Sequence, residues 1–122
     1  KIKLYFSRLA SNKDENPVVF QIKEYLHQNY AVPSLSVPDI SEHVRLSPTY
    51  VCTLFKNETG QTLNQYLTDY RIKMSKQFLS DPLYKITDIS AKVGYSDGNY
   101  YSKAFRKIVG LSPSEYREKM LR

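Results

Sequence analysis

The chain writes one pattern twice, and that repetition limits its fold more than any other feature. Residues 37–66 are echoed by residues 86–116. With a shift of 49, Asp39-Ile40-Ser41 falls on Asp88-Ile89-Ser90, Val44 on Val93 and Ser47 on Ser96. One extra residue in Ser96-Asp97-Gly98-Asn99 makes the shift 50. Tyr50 then meets Tyr100, Phe55 meets Phe105, Gly60 meets Gly110 and Tyr66 meets Tyr116. Each copy reads as a short helix, a tight turn, a second helix and a glycine stop, which is the grammar of a helix-turn-helix. Two copies in one chain suit the reading of two adjacent stretches of a DNA groove without a dimer.

The helices between and around the copies follow from apolar spacing and caps. Asn16-Pro17 reads as a cap followed by proline at the first helical position, and Val19, Ile22, Leu26 and Tyr30 continue it as one stripe that ends by Pro33. Ser36 with Asp39 three residues on forms a capping box ahead of Ile40 and Val44. Arg45-Leu46 makes the turn. Ser47-Pro48 opens the first reader, which buries Val51, Leu54 and Phe55 and stops at Gly60. Leu63, Tyr66, Leu67, Tyr70, Met74 and Phe78 mark a long amphipathic helix that ends at Asp81-Pro82. In the second copy Ile86, Ile89 and Val93 line the first helix, and Gly94-Tyr95 turns the chain. Tyr101, Ala104, Phe105 and Ile108 form the inner side of the reader, and Ser112-Pro113-Ser114-Glu115 opens a last helix. No segment alternates with period two. The expected fold is therefore all-α, with seven helices in two homeodomain-like helix-turn-helix lobes joined by a long linking helix. Residues 1–16 read as a tail or as the end of an upstream helix, and 17–122 as the DNA-binding domain. Lobe one covers about 17–62 with its motif at 37–59, the linking helix 63–80, and lobe two about 81–122 with its motif at 86–109.

The net charge of +6 over 122 residues favours a polyanionic partner. Its distribution says more: residues 1–16 carry +2, 17–60 carry −1 and 61–122 carry +5. The positive field belongs to the second half. Cys52 is the only cysteine, so no internal disulfide can form, which fits a reducing, cytoplasmic setting. No apolar run reaches the length of a membrane span, and no signal peptide is evident. The chain starts at Lys1 and in mid-pattern, so it reads as a piece of a longer protein whose upstream region would supply dimerisation or sensing.

A linking helix of that length rises about 27 Å, against about 34 Å between successive major-groove faces on one side of B-DNA. It can therefore space two readers, as well as bury core. Subtracting the inward residues leaves Pro48, Thr49, Cys52, Thr53 and Lys56 as DNA-facing candidates on the first recognition helix. The second leaves Gly98, Asn99, Ser102, Lys103, Arg106 and Lys107, with Asp97 read as a cap because its charge repels phosphate. Asn99 can read adenine, and Lys103 or Arg106 can reach guanine or a phosphate. The first reader offers hydroxyls, a thiol and one lysine, which suit weaker hydrogen bonding and contact with thymine methyls. Ser47, Ser96 and Ser112 open the readers and the final helix, and the amides behind them are candidate phosphate clamps. The competing reading of each of these residues is a solvated polar side chain. Arg71, Lys73 and Lys76 read as ordinary surface charge.

These residues resemble the DNA-binding domain of the AraC/XylS family of bacterial transcription regulators. The likeness rests on Leu54-Phe55-Lys56-Asn57-Glu58-Thr59-Gly60, on Tyr66 and Arg71-Ile72, and on Ile86-Thr87-Asp88-Ile89-Ser90 followed by Val93-Gly94-Tyr95-Ser96-Asp97. It continues through Tyr100-Tyr101-Ser102-Lys103-Ala104-Phe105-Arg106-Lys107, Gly110, Ser112-Pro113 and Tyr116-Arg117, and covers about residues 17–121. The subgroup it most resembles is common in Gram-positive bacteria and ends a response regulator or a membrane-bound regulator. The resemblance implies seven helices, double-stranded promoter DNA as partner, and activation through contact with RNA polymerase. The family commonly has arginine where Thr53 stands, which implies that the second lobe contributes more of the affinity.

Two other classes fit the sequence less well. A helical protein-interaction module would use the repeat to bind protein, but the basic second half and the polar reader faces favour nucleic acid. An enzyme would need a constellation that is missing: His27 and His43, the only histidines, have no metal-ligand spacing, and there is no phosphate loop or paired acid motif. No cofactor and no metal are expected. RNA is disfavoured because the aromatic residues fall mainly on inward stripes.

Overall fold

The computed structural model describes residues 15–121, which form seven α-helices and no strand. They are α1 (Pro17–Asn29), α2 (Val37–Val44), α3 (Pro48–Thr59), α4 (Leu63–Leu79), α5 (Ile86–Lys92), α6 (Gly98–Val109) and α7 (Pro113–Met120). The expected tail or upstream helix end falls, apart from Glu15 and Asn16, outside the described residues. The chain divides into two compact units. The first holds the described residues up to Gln28 together with Ser36–Leu63. The second holds Asn29–Leu35 and the described residues from Asn64 onward. The linking helix α4 is thus almost wholly part of the second unit, and so is the segment that follows α1.

The caps explain where the helices begin. Asn16 Oδ1 accepts from the Val18 and Val19 amides at 2.8 and 3.4 Å. The Asp39 carboxylate accepts from the Ser36 amide at 3.0 Å and from its hydroxyl at 3.1 Å. Ser47 Oγ accepts from the Tyr50 amide at 3.2 Å. Ser112 and Glu115 exchange two bonds, of 2.8 and 3.1 Å, in a full capping box. The bond from the Ser112 amide holds the Glu115 carboxyl below its ordinary pKa. α1 stops at Asn29, ahead of the expected limit at Pro33.

Inside the first unit Val19, Ile22, Leu26, Val51 and Phe55 are wholly buried, and Ile40 nearly so. The second unit has a cluster of Ile72, Leu79, Ile89, Val93, Tyr101 and Phe105. The repeat is visible in this burial. Ile40 and Ile89, Val51 and Tyr101, and Phe55 and Phe105 occupy equivalent places, and so do the buried serines Ser41 and Ser90. One expectation fails: Ile108 is 42% exposed. The inner face of α6 runs in steps of four through Tyr101, Phe105 and the partly buried Val109, and Ile108 lies to one side of it. Ala104 is only partly buried, as is Leu54 in α3.

Helix ends leave carbonyls without partners, and two arginines answer two of these ends within the second unit. Arg71 donates from Nε to the Tyr30 carbonyl at 2.8 Å and from a terminal nitrogen to the Val32 carbonyl at 2.9 Å. Arg117 repeats the geometry on α4, reaching the Leu79 and Asp81 carbonyls at 3.0 and 3.1 Å. Each arginine follows a tyrosine, and each spans two carbonyls two residues apart. Arg71 is therefore structural and is not ordinary surface charge. Burial lowers its pKa from the ordinary value, and the guanidinium lies 5.6 Å from the centre of the Tyr95 ring.

The same corner restricts the turn of the second motif. Gly94 has φ +96°, and a Cβ placed there would sit 2.3 Å from the Tyr30 carbonyl and 2.7 Å from Arg71 Nε. The equivalent turn residue in the first motif is Arg45, which adopts φ 59°. Gly60 and Gly110 also have positive φ but face open space.

Three stability outcomes follow, each read from thermal or denaturant melts. Phe55→Ala and Phe105→Ala should each lower stability by about 3–5 kcal/mol. Gly110→Ala should lose about 1–2 kcal/mol through left-handed strain alone. Gly94→Ala should lose clearly more, because its Cβ also overlaps backbone, and equal losses would contradict this reading. Arg71→Ala should cost about 2 kcal/mol, and Arg71→Lys should not restore it, since an ammonium cannot serve both carbonyls with the guanidinium's fork.

Candidate nucleic-acid interface

Each recognition helix has one face committed to the core and another left in water. On α3, Val51 and Phe55 are buried while Pro48, Thr49, Cys52, Thr53 and Lys56 are all exposed. On α6, Tyr101 and Phe105 are buried while Gly98, Asn99, Ser102, Lys103, Arg106 and Lys107 are exposed. Sequence subtraction had picked these eleven residues, and each stands on the solvent side of its own helix. The α6 face carries three cationic side chains and no anionic one between Gly98 and Val109. The α3 face is nearly neutral: Lys56 donates to the Gly60 carbonyl at 3.3 Å, and Glu58 lies in the same last turn.

The phosphate-clamp candidates separate. Ser47 is the N-cap of α3 and Ser112 that of α7, as expected. Ser96 is not a cap. It lies two residues before α6, and Asp97 takes the cap position, as the sequence reading expects, accepting from the Asn99 amide at 2.9 Å. The physical reason is the inserted residue in this turn, which moves the helix start one place later than in the first copy. In all three helices the capping side chain already occupies one first-turn amide, those of Tyr50, Asn99 and Glu115. A phosphate at these ends would be met by the remaining amides, and at α6 it would also meet the Asp97 carboxylate.

Around this face, α5 and the start of α6 enclose an open groove lined by Thr87, Ser90, Ser96, Asp97, Asn99 and Ser102. Tyr101 also lines it; its hydroxyl is buried towards Ser75 of α4, and that burial raises its pKa. In the first unit His43 stacks on Tyr25 with ring centres 4.3 Å apart, and Cys52 is a free, exposed thiol. Among the described residues no three His, Cys, Asp or Glu side chains gather in a way that could hold a metal ion, and no helix is long and apolar enough to cross a membrane. Subtraction overlooked two exposed aromatic residues on the reader helices, Tyr50 and Tyr100. The signal was present in their equivalence across the repeat, where they had served only to fix the alignment.

Comparison with known proteins agrees with this architecture. A family model described as a helix-turn-helix domain, of the AraC type, matches residues 40–119. The Msm operon regulatory protein of Streptococcus mutans is 36% identical over 110 residues, which is 90% of this chain and 39% of that protein. The transcriptional regulatory protein HptR of Staphylococcus aureus is 35% identical over 111 residues, 91% of this chain and 43% of that protein. The chain thus spans about two fifths of the length of these relatives. Among solved structures, the C-terminal domain of AraT, a response regulator from Geobacillus stearothermophilus, superposes with a TM-score of 0.84 at 28% identity, covering 87% of this chain and 88% of that one. The duplicated motif, the seven helices and these matches agree: the chain belongs to the family of AraC-type helix-turn-helix domains.

Proposed function

We propose that this chain binds double-stranded promoter DNA in a sequence-specific manner, as the DNA-reading part of a bacterial transcription regulator. Each lobe offers one recognition helix, α3 or α6, to a major groove. The observation that carries this reading is the outward face of α6, where Lys103, Arg106 and Lys107 stand in solvent above the buried Tyr101 and Phe105. Fixed cations on a helix held rigidly from behind are what base-edge and phosphate contacts require. Lys103 and Arg106 reach guanine or phosphate, and Asn99 and Ser102 supply neutral hydrogen bonds. On α3, Thr49, Cys52 and Thr53 supply hydroxyl and apolar contact, and Pro48 and Lys56 flank them. The chain works at the chromosome in the cytoplasm, needs no cofactor and performs no catalysis. Activation through contact with RNA polymerase, and dimerisation through other parts of a longer protein, extend the same proposal. The relatives' names, an operon regulatory protein and a transcriptional regulatory protein, support it.

Binding should be measured by anisotropy on labelled duplexes over a range of salt. Affinity should fall steeply as salt rises. Lys103→Ala and Arg106→Ala should each weaken binding by about 1–3 kcal/mol where they touch bases, with the salt slope reduced by about one where they touch phosphate. Folded variants that both bind like the unaltered chain would remove α6 from the interface.

A further inference from the structure

The two recognition helices share a feature that base reading and core packing leave unused. Tyr50 is 51% exposed and Tyr100 is 70% exposed. Each is the third residue of its helix, and the two are 50 apart, the offset that relates the second halves of the copies. Every other tyrosine among the described residues is buried or half-buried. A single exposed aromatic residue on a protein surface needs no explanation. The same aromatic residue bare at the same place in both lobes does, because the residues around it have diverged: Thr53 answers Lys103, and Cys52 answers Ser102.

Neither phenol makes a hydrogen bond or ring contact among the described residues. Helical spacing puts Tyr50 between the exposed Thr53 and the partly buried Leu54, and Tyr100 between the exposed Lys103 and the partly buried Ala104. Both rings therefore stand in the first turn at the edge of the faces assigned to DNA, where those faces meet the core side. A phenol there has an apolar ring and one neutral O–H donor. Near a groove edge that chemistry matches the sugar-phosphate backbone, which offers an apolar deoxyribose beside an anionic oxygen.

We propose that Tyr50 and Tyr100 are paired backbone contacts, one per lobe. Each hydroxyl donates to a phosphate oxygen and each ring rests on the neighbouring deoxyribose, which sets how deep the recognition helix sits. This rests on the DNA-binding reading above. It adds a sequence-independent contact that releases no counterion, since the donor carries no charge.

The test uses two labelled duplexes, one selected from a random pool by the unaltered chain and one with that sequence scrambled. Tyr50→Phe and Tyr100→Phe remove only the hydroxyl, and Tyr50→Ala and Tyr100→Ala remove the ring as well. Lys103→Ala serves as reference, and thermal melts check folding. Each Phe variant should lose about tenfold in affinity, the loss of a hydrogen bond to a charged group. The loss should be equal on both duplexes, with the salt slope unchanged, and the Ala variants should lose more. Phe and Ala variants that bind normally while Lys103→Ala is weakened would overturn the tyrosine proposal and leave DNA binding standing. A loss confined to the selected duplex would make the tyrosines base readers and overturn it too. An unaltered chain that selects no duplex would sink the DNA reading and this proposal together.

Discussion

Short helices cannot stand alone in water, and the proposed readers are short helices. The elements of the two motifs run from 7 to 12 residues, at or below the length at which an isolated helix is even marginal. Each is helical because one of its faces is buried. Phe55 and Phe105 are the anchors, both fully enclosed and both one turn below a second buried residue, Val51 or Tyr101. Everything useful about the outer faces depends on this. A reader helix can leave charged and polar groups unpartnered in solvent only if its inner side holds it still.

The two copies share that plan and differ where local demands differ. The turn of the first motif carries Arg45, side chain included, in a left-handed conformation. The turn of the second cannot accept a side chain, because the Tyr30 carbonyl and the Arg71 guanidinium fill the place where a Cβ would go. The first reader is capped by a hydroxyl and the second by a carboxylate. That carboxylate sits at the end of the more basic reader, and it disfavours a phosphate on the first backbone amides of α6, while the cations lie further along. The second lobe thus separates its anion-repelling end from its anion-attracting face.

The outward faces of the two recognition helices were legible to a large extent. Subtracting apolar positions from a 3.6-residue period leaves the outward face, and the eleven residues so chosen are exposed on α3 and α6. Three kinds of residue escaped. Tyr50 and Tyr100 were hidden by their aromatic character, since sequence reasoning assigns tyrosine to the inside by default and the other described tyrosines obey. Ile108 was misplaced because steps of three and four are both helical, and only the packing of α6 decides which of residues 108 and 109 faces in. Arg71 looked like solvated charge because its partners lie 41 and 39 residues away in the chain, beyond any local pattern.

The sequence by itself determined what short-range chemistry can determine. The repeat, the apolar periods and the cap residues specified seven helices and two helix-turn-helix motifs, because capping and amphipathic spacing act over a few residues. Tertiary structure decided what depends on neighbours distant in the chain. It turned Arg71 and Arg117 into clamps on helix ends and made Gly94 irreplaceable. It also placed the segment after α1 in the second unit. The reason is the same in each case: a carbonyl or a void has no signature in the residues beside it, and it acquires partners only when the chain has folded.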